Sequence, residues 1–448
     1  MVSALLQARE ESSLRLRIAG GCGITGLALM FALGLRSPTA MYAGLFLTLL
    51  GLVVAADRAL PALLREPLFW AAIVLFTWVL VRGWIDLETA TARGLEPDDR
   101  AVWHHARFTL LLPLVLAFWL AAFWRHRHFL LVLIGVSALV YVVNDWDRLM
   151  RGLPGGESPF SSAFGEAGII AATVFFLTGA TAIDVWRCPC DFRPATRIGL
   201  LIAAGALTLF ALAVFFAAQA RAAWLAMIVT LLLLGLWGGW FLLRHADRRQ
   251  RRTALMAVGG GLALFGVFVV LSWDILSSRL LRDTETIAVL LAGNVEQDDV
   301  PGGSFGARYR MFRQALIDIG QNPLWGVGPG SVRDMLHEIW GQPRGGSGNY
   351  HSTWLNLLVA MGIPWTVFWL GLHLWAVARC VRWLVAQREA VLAVGLLGAF
   401  LVHFGTLTFQ GARLWSVQGS ALYLILMTVI CAVLLREAMD RRLQRAAA

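Results

Sequence analysis

An all-α polytopic membrane protein of about 12 transmembrane helices is the fold class this chain predicts, on three observations. Of its 448 residues, 58% are hydrophobic and only 15% charged, more apolar matter than a soluble core of this size buries. That matter is gathered into runs of roughly 20 residues, the length a helix needs to cross a bilayer. The connecting loops are mostly short, and arginines collect in alternate ones, the asymmetry that orients membrane proteins.

The apolar runs fall at about 18–35, 40–56, 68–85, 107–124, 129–143, 165–186, 198–219, 222–243, 254–273, 352–378, 391–409 and 418–435. The first follows Arg9, Arg15 and Arg17 but has no clear small-x-small cleavage site, and another span follows at once, so it reads as an uncleaved first helix. An even number of spans puts both termini on one side. The loops of that side hold 22 of the 38 arginines against 10 acids, and there is no lysine in the chain. Both termini are therefore expected in the cytoplasm. Residues 1–273 would carry spans one to nine, 274–350 a large outward loop with short helices, and 351–448 the last three spans and a cytoplasmic tail.

The formal net charge of +10 is then a cytoplasmic excess, placed at helix ends where anchoring and contact with membrane lipids account for it. Nucleic acid is excluded as its explanation. Cys188 and Cys190 fall in a loop assigned to the cytoplasm, with no partner ligands nearby, and read as a reduced loop rather than a metal site.

The long outward segment is where function is expected to concentrate. After the polar stretch Arg279 to Asp299 and the Pro301-Gly302-Gly303 turn, residues 307–319 carry a helical pattern, with Tyr309, Phe312, Leu316 and Ile319 as one apolar stripe. Arg308, Arg310 and Arg313 occupy its first turns, where the helix dipole disfavours cations, so three arginines there point to an anion. The turn-rich run Asn322-Pro323-Leu324-Trp325-Gly326-Val327-Gly328-Pro329-Gly330 follows, then a capping start at Ser331-x-x-Asp334. A Gly-rich stretch leads to Asn349-Tyr350-His351-Ser352, which opens the tenth span and puts His351 at the outer interface.

Arg221 interrupts an otherwise small and apolar stretch. Such an arginine is a functional candidate, the alternative being one that snorkels to the headgroups at the end of a tight hairpin. His351 has the alternative of a satisfied interfacial histidine, and each loop arginine that of a solvated helix face. Arg221, the Arg308 cluster and His351 all fall on the outer side, which is what a shared site requires. Arginine matches phosphate oxygens through bidentate, charge-assisted bonds, and histidine suits proton abstraction from a hydroxyl near neutral pH. Together they describe group transfer from a phosphate leaving group, with no cofactor and no metal required.

These motifs resemble the superfamily of O-antigen ligases and O-antigen polymerases of the bacterial envelope. The resemblance rests on Ala307-Arg308-Tyr309-Arg310-Met311-Phe312-Arg313, on Pro323-x-x-Gly326-x-Gly328, and on Tyr350-His351-Ser352-Thr353-Trp354-Leu355 before Gly362-Ile363. Gln219-Ala220-Arg221-Ala222-Ala223 is similar to a further functional arginine position of the family, with alanine where serine is commoner. The resemblance implies a GT-C-like glycosyltransferase of the bacterial inner membrane with its site on the periplasmic face. It implies a donor glycan on undecaprenyl diphosphate and an acceptor hydroxyl on lipid A-core oligosaccharide; with such substrates, the chemistry above puts Arg221, Arg308, Arg310 and Arg313 on the diphosphate and His351 as general base on the acceptor hydroxyl. The single long outward loop favours ligase over polymerase.

Other classes stay open. A transporter of inverted-repeat type would show matched interrupted helices in two halves, and none is evident. His373 and His403, inside spans, are either packed helix residues or a proton relay. A protein oligosaccharyltransferase would use the same outer arginines and histidine. The adjacent His104 and His105 read as a surface pair rather than metal ligands.

Overall fold

The computed structural model describes residues 14–92, 99–144, 162–187, 192–218, 220–245, 304–332, 350–409 and 417–447, with positions 266, 270 and 273. Regular structure among the described residues is helical. In chain order the α-helices are α1 (Leu14–Leu33), α2 (Pro38–Val54), α3 (Ala56–Leu63), α4 (Pro67–Ala92), α5 (Asp99–Ala106), α6 (Leu111–Ala122) and α7 (Arg127–Asn144). They continue as α8 (Ser162–Arg187), α9 (Pro194–Ala217), α10 (Arg221–His245), α11 (Ser304–Gln321), α12 (Thr353–Met361), α13 (Ile363–Ala386), α14 (Ala390–Phe409) and α15 (Val417–Ala447). The chain divides into two compact units, Met1–Met227 with Asn322–Ala448, and Ile228–Gln321.

Among the described residues six helices are long and apolar enough to cross a membrane, or seven if the bent pair α2 and α3 counts as one span. The chain is thus an all-α, multi-pass membrane protein. Several of the twelve apolar runs are not single long helices, for local reasons. The second is carried by α2, at whose end the chain turns by 98° into the short α3. The fourth contracts to the twelve residues of α6, because Leu110 before it takes a left-handed φ of 64° that no helix continues through. The tenth, expected unbroken over 352–378, is cut at Gly362, whose φ is 80°. Pro364 follows at the start of α13, where its missing N–H costs nothing. Apart from the helical positions 266, 270 and 273, the expected span at 254–273 lies outside the described residues, as do the polar run 279–299, the helix expected past Val332, and Cys188 and Cys190.

In the larger unit α15 is the central helix, buried from Ala421 to Leu435, as an all-round apolar helix must be. By contrast α9 leaves Ile198, Ile202 and Leu209 exposed, a face suited to lipid. Small residues let backbones meet: a Cβ on Gly26 of α1 would collide with Thr48 and the Gly44 carbonyl of α2. The indole of Trp119 on α6 then donates to the Thr48 carbonyl at 3.1 Å.

Buried ion pairs gather at one set of helix ends. Arg127 lies 3.5 Å from Asp184 and 3.4 Å from Glu389, and His128 Nε2 is 2.7 Å from Asp184. Arg379 pairs with Glu66 and, at 2.6 Å, with Glu437. All of these residues lie in or beside the arginine-rich set of loops. A cavity of about 530 Å³ opens beside the second cluster, lined by Arg65, Glu66, Trp375, Arg379 and Arg441 among others. It contains none of the expected site residues.

Candidate functional site

The site is built around the break in the tenth apolar run. Ser352 caps α12, its Oγ accepting from the Leu355 amide at 3.5 Å. Asn356, one turn in, ties down the residues before the helix: its Oδ1 accepts from the Tyr350 amide at 3.0 Å and its Nδ2 donates to the Ser352 carbonyl at 2.8 Å. Tyr350 is fully buried. Between these two fixed points stands His351, half-buried, with a left-handed φ of 51°. Few non-glycine residues adopt that conformation, and it persists where the surroundings over-determine it. His351 therefore sits at the electropositive N-terminal end of a short, firmly held helix.

At its other end α12 stops at Gly362, and the turn-rich loop fills the gap. The Val327 amide donates to the Val359 carbonyl at 2.8 Å, and the Gly328 amide to the Ala360 carbonyl at 3.0 Å. The Ile363 amide, at the start of α13, donates to the Pro323 carbonyl at 2.8 Å. Carbonyls and amides that the break would orphan are thus satisfied by residues 323–328. Gly326, with φ 64°, packs on the Val359 and Ala360 carbonyls so closely that a Cβ would collide with them. Trp325 of the same loop packs on Trp78 of α4, which also stacks on Trp365 of α13 at 4.2 Å between ring centroids.

Two residues of α4 hold the loop from the far side. Arg82 donates from Nε to the Trp325 carbonyl at 3.2 Å and from Nη2 to the Gly326 carbonyl at 3.0 Å. One turn later Asp86, 2% exposed, accepts from the Gly330 amide at 2.6 Å, the Ser331 amide at 2.9 Å and the Ser331 hydroxyl. Gly328, at φ 105°, closes over the Asp86 carboxyl, where any Cβ would collide. The sequence reading missed both residues. Their signal was an arginine and an aspartate four apart near the end of an apolar run, where ionisable groups are costly unless paired.

Arg221 opens α10, and the Ala220 carbonyl just before it accepts from the Trp224 amide at 3.0 Å. Its helix start reaches the same part of α14 that α12 does. Ala226 packs where a Cβ of Gly405 would stand, 3.4 Å away, and the Trp354 ring lies 6.0 Å from that of the neighbouring Phe404. Ala226, five residues into α10, and Trp354, near the start of α12, thus meet neighbouring positions of α14.

The loop arginines stand on α11, in the other unit. The expected stripe is displaced there: Leu316 is 64% exposed, while Ala315 and Asp318 are buried. Gln314 Nε2 donates to Asp318 Oδ1 at 2.9 Å. Helical spacing puts Arg308 on the face of Phe312, Ala315 and Ile319, whereas Arg310 and Arg313 lie on the opposite side and Arg313 is exposed. The three do not form one cationic face.

Other candidates resolve differently. His373 is fully buried, with Nδ1 2.7 Å from the Trp369 carbonyl and Nε2 2.6 Å from the Tyr423 hydroxyl, a packed and partnered side chain. His403 is also buried, with neither ring nitrogen hydrogen-bonded among the described residues. The expected surface pair is corrected: His105 is 5% exposed, its Nδ1 2.7 Å from the Ala101 carbonyl, and burial pushes its pKa down to about 4. Among the described residues no group of three or more His, Cys, Asp or Glu could hold a metal ion.

Residues 206–370 match the family model described as O-Antigen ligase, in keeping with the superfamily that the motifs resemble. No curated protein matches the chain.

Proposed function

We propose that this multi-pass membrane protein, with an O-antigen ligase family region over residues 206–370, transfers a glycan from undecaprenyl diphosphate to lipid A-core oligosaccharide at the periplasmic face of a bacterial inner membrane. One observation carries the reading: the matched region contains all three motif segments, the α10 start with Arg221, the arginines of α11, and the loop and helix that hold His351. The match of that region to the family model supports glycosyl transfer from a lipid-linked donor in general.

In this reading Arg221 and Arg308 bind the donor diphosphate, with Arg310 and Arg313 extending the cationic field. Charge grows on the diphosphate as its bond to the anomeric carbon breaks, and arginines placed in advance stabilise that charge without a metal ion. His351 takes the proton from the acceptor hydroxyl as the hydroxyl oxygen attacks the anomeric carbon. One displacement inverts that centre. The capped helix start, which fixes the backbone beside His351, supports this role, since a base must be positioned to act.

The alternative within the superfamily is an O-antigen polymerase, which would use the same donor chemistry on a second lipid-linked repeat. Deleting the gene and running the lipopolysaccharide on a gel separates the two. Loss of a ligase leaves core without polymer, and loss of a polymerase leaves core carrying one repeat. Glycoprotein loss with normal lipopolysaccharide would instead indicate a protein oligosaccharyltransferase.

A further inference from the structure

We infer that Arg82 and Asp86 are positioning residues for the transfer: a latch on α4 that fixes the turn-rich loop, and through it the helix that carries His351. This rests on the reading that His351 belongs to the site. The chain of contacts is continuous. Asp86 and Arg82 use five hydrogen bonds to immobilise Trp325, Gly326, Gly330 and Ser331. The loop amides of Val327 and Gly328 then hold the last carbonyls of α12. His351 stands at the opposite end of that nine-residue helix.

The lever is short and stiff, so small errors at the latch are transmitted. Nine residues of α-helix span about 13 Å, and a tilt of about 5° at the Gly362 end displaces the His351 end by about 1 Å. Misplacement on that scale costs up to about 10²-fold in rate. Asp86 does not itself meet a substrate in this arrangement. Its two oxygens are occupied by three donors, and Gly328 closes over them.

That geometry makes the isosteric amide informative. In Asp86→Asn the side-chain oxygen still accepts from the Gly330 and Ser331 amides, while its NH₂ donates to the Ser331 hydroxyl, which turns to accept. The latch survives without its charge. In Asp86→Ala it is gone, and in Asp86→Glu the extra methylene has no room beside Gly328.

The test combines turnover with hydrogen–deuterium exchange over residues 350–361, on wild type and these three variants as monodisperse protein in detergent. Expected are Asp86→Asn within about threefold of wild-type turnover, and Asp86→Ala and Asp86→Glu reduced about 10–10²-fold at unchanged donor KM. Exchange across α12 should rise in the last two only. Wild-type exchange in Asp86→Ala overturns the latch, whatever reaction the protein catalyses. Equal inactivation by Asn and Ala overturns it in favour of a carboxylate that takes part in the chemistry. If Asp86→Ala does not fold, Arg82→Gln, which removes the carbonyl contacts alone, should show the same rise in exchange, and wild-type exchange there is equally fatal. Failure of wild type to transfer glycan, with exchange as expected, faults the functional reading and leaves the latch standing.

Discussion

The amide of Gly328 donates to the carbonyl of Ala360 at 3.0 Å, so a loop that precedes α12 by more than twenty residues caps the end of that helix. The glycines of the signature are there for this contact. Gly362 has φ 80° and ψ 169°, a region closed to side chains, and a Cβ on it would collide with the Leu324 carbonyl. Gly362→Ala should therefore cost at least about 1–3 kcal/mol from backbone strain alone. Gly371→Ala, an exposed position on α13 with nothing within 4 Å, should be neutral or slightly stabilising. Thermal denaturation of both in detergent checks this, and equal melting temperatures would remove the structural reason for Gly362.

Replacing Arg221 or Arg308 with alanine should abolish most transfer, and lysine should restore little, because it keeps the charge and loses the planar fork that fits phosphate oxygens. Arg313→Ala, on the exposed side of α11, should lose less than Arg308→Ala. Initial rates with lipid-linked donor measure the series. Wild-type rates in both lysine variants would reduce these arginines to helix anchors.

His351→Ala should bind donor normally yet transfer about 10²–10⁴-fold more slowly, the usual contribution of a positioned base. Should donor affinity fall steeply instead, His351 is a member of the phosphate clamp and not the base.

Acid should weaken the fold through His105. Its pKa is depressed to about 4 by burial, against about 6.5 in an unfolded chain. As pH falls from about 6.5 toward 4 the unfolded form takes up the proton and the folded form does not, so the stability present above pH 6.5 drains away. The melting-temperature advantage of wild type over His105→Phe at pH 7.5 should shrink by pH 5. An advantage constant across that range would place His105 in a solvated setting.

Much of this architecture was legible in the sequence, and the limits have physical causes. Hydropathy found the all-α, multi-pass class, with six or seven of the twelve expected spans present as long apolar helices among the described residues, and the expected helix at 307–319 appears as Ser304–Gln321. It could not see that Gly362 cuts an apolar run, because a broken helix whose ends are capped by a distant loop is as apolar as a continuous one. Arg82 and Asp86 were passed over for the same reason: their partners lie more than 240 residues away. The stripe on α11 failed at Leu316, where helical spacing fixed which residues share a face but not which face is covered. The burial of His105 likewise depends on packing that its own segment does not encode.

Ligase activity is decided by reconstituting the reaction: purified protein in detergent, undecaprenyl diphosphate-linked glycan and lipid A-core acceptor, with a chelator present. Mass spectrometry and gel mobility follow the acceptor. The acceptor should gain the whole glycan, with inverted anomeric configuration, as undecaprenyl diphosphate is released. An unmodified acceptor beside a lengthened donor glycan would make the protein a polymerase, and transfer that stops with chelator and returns with magnesium or manganese would overturn the metal-free mechanism.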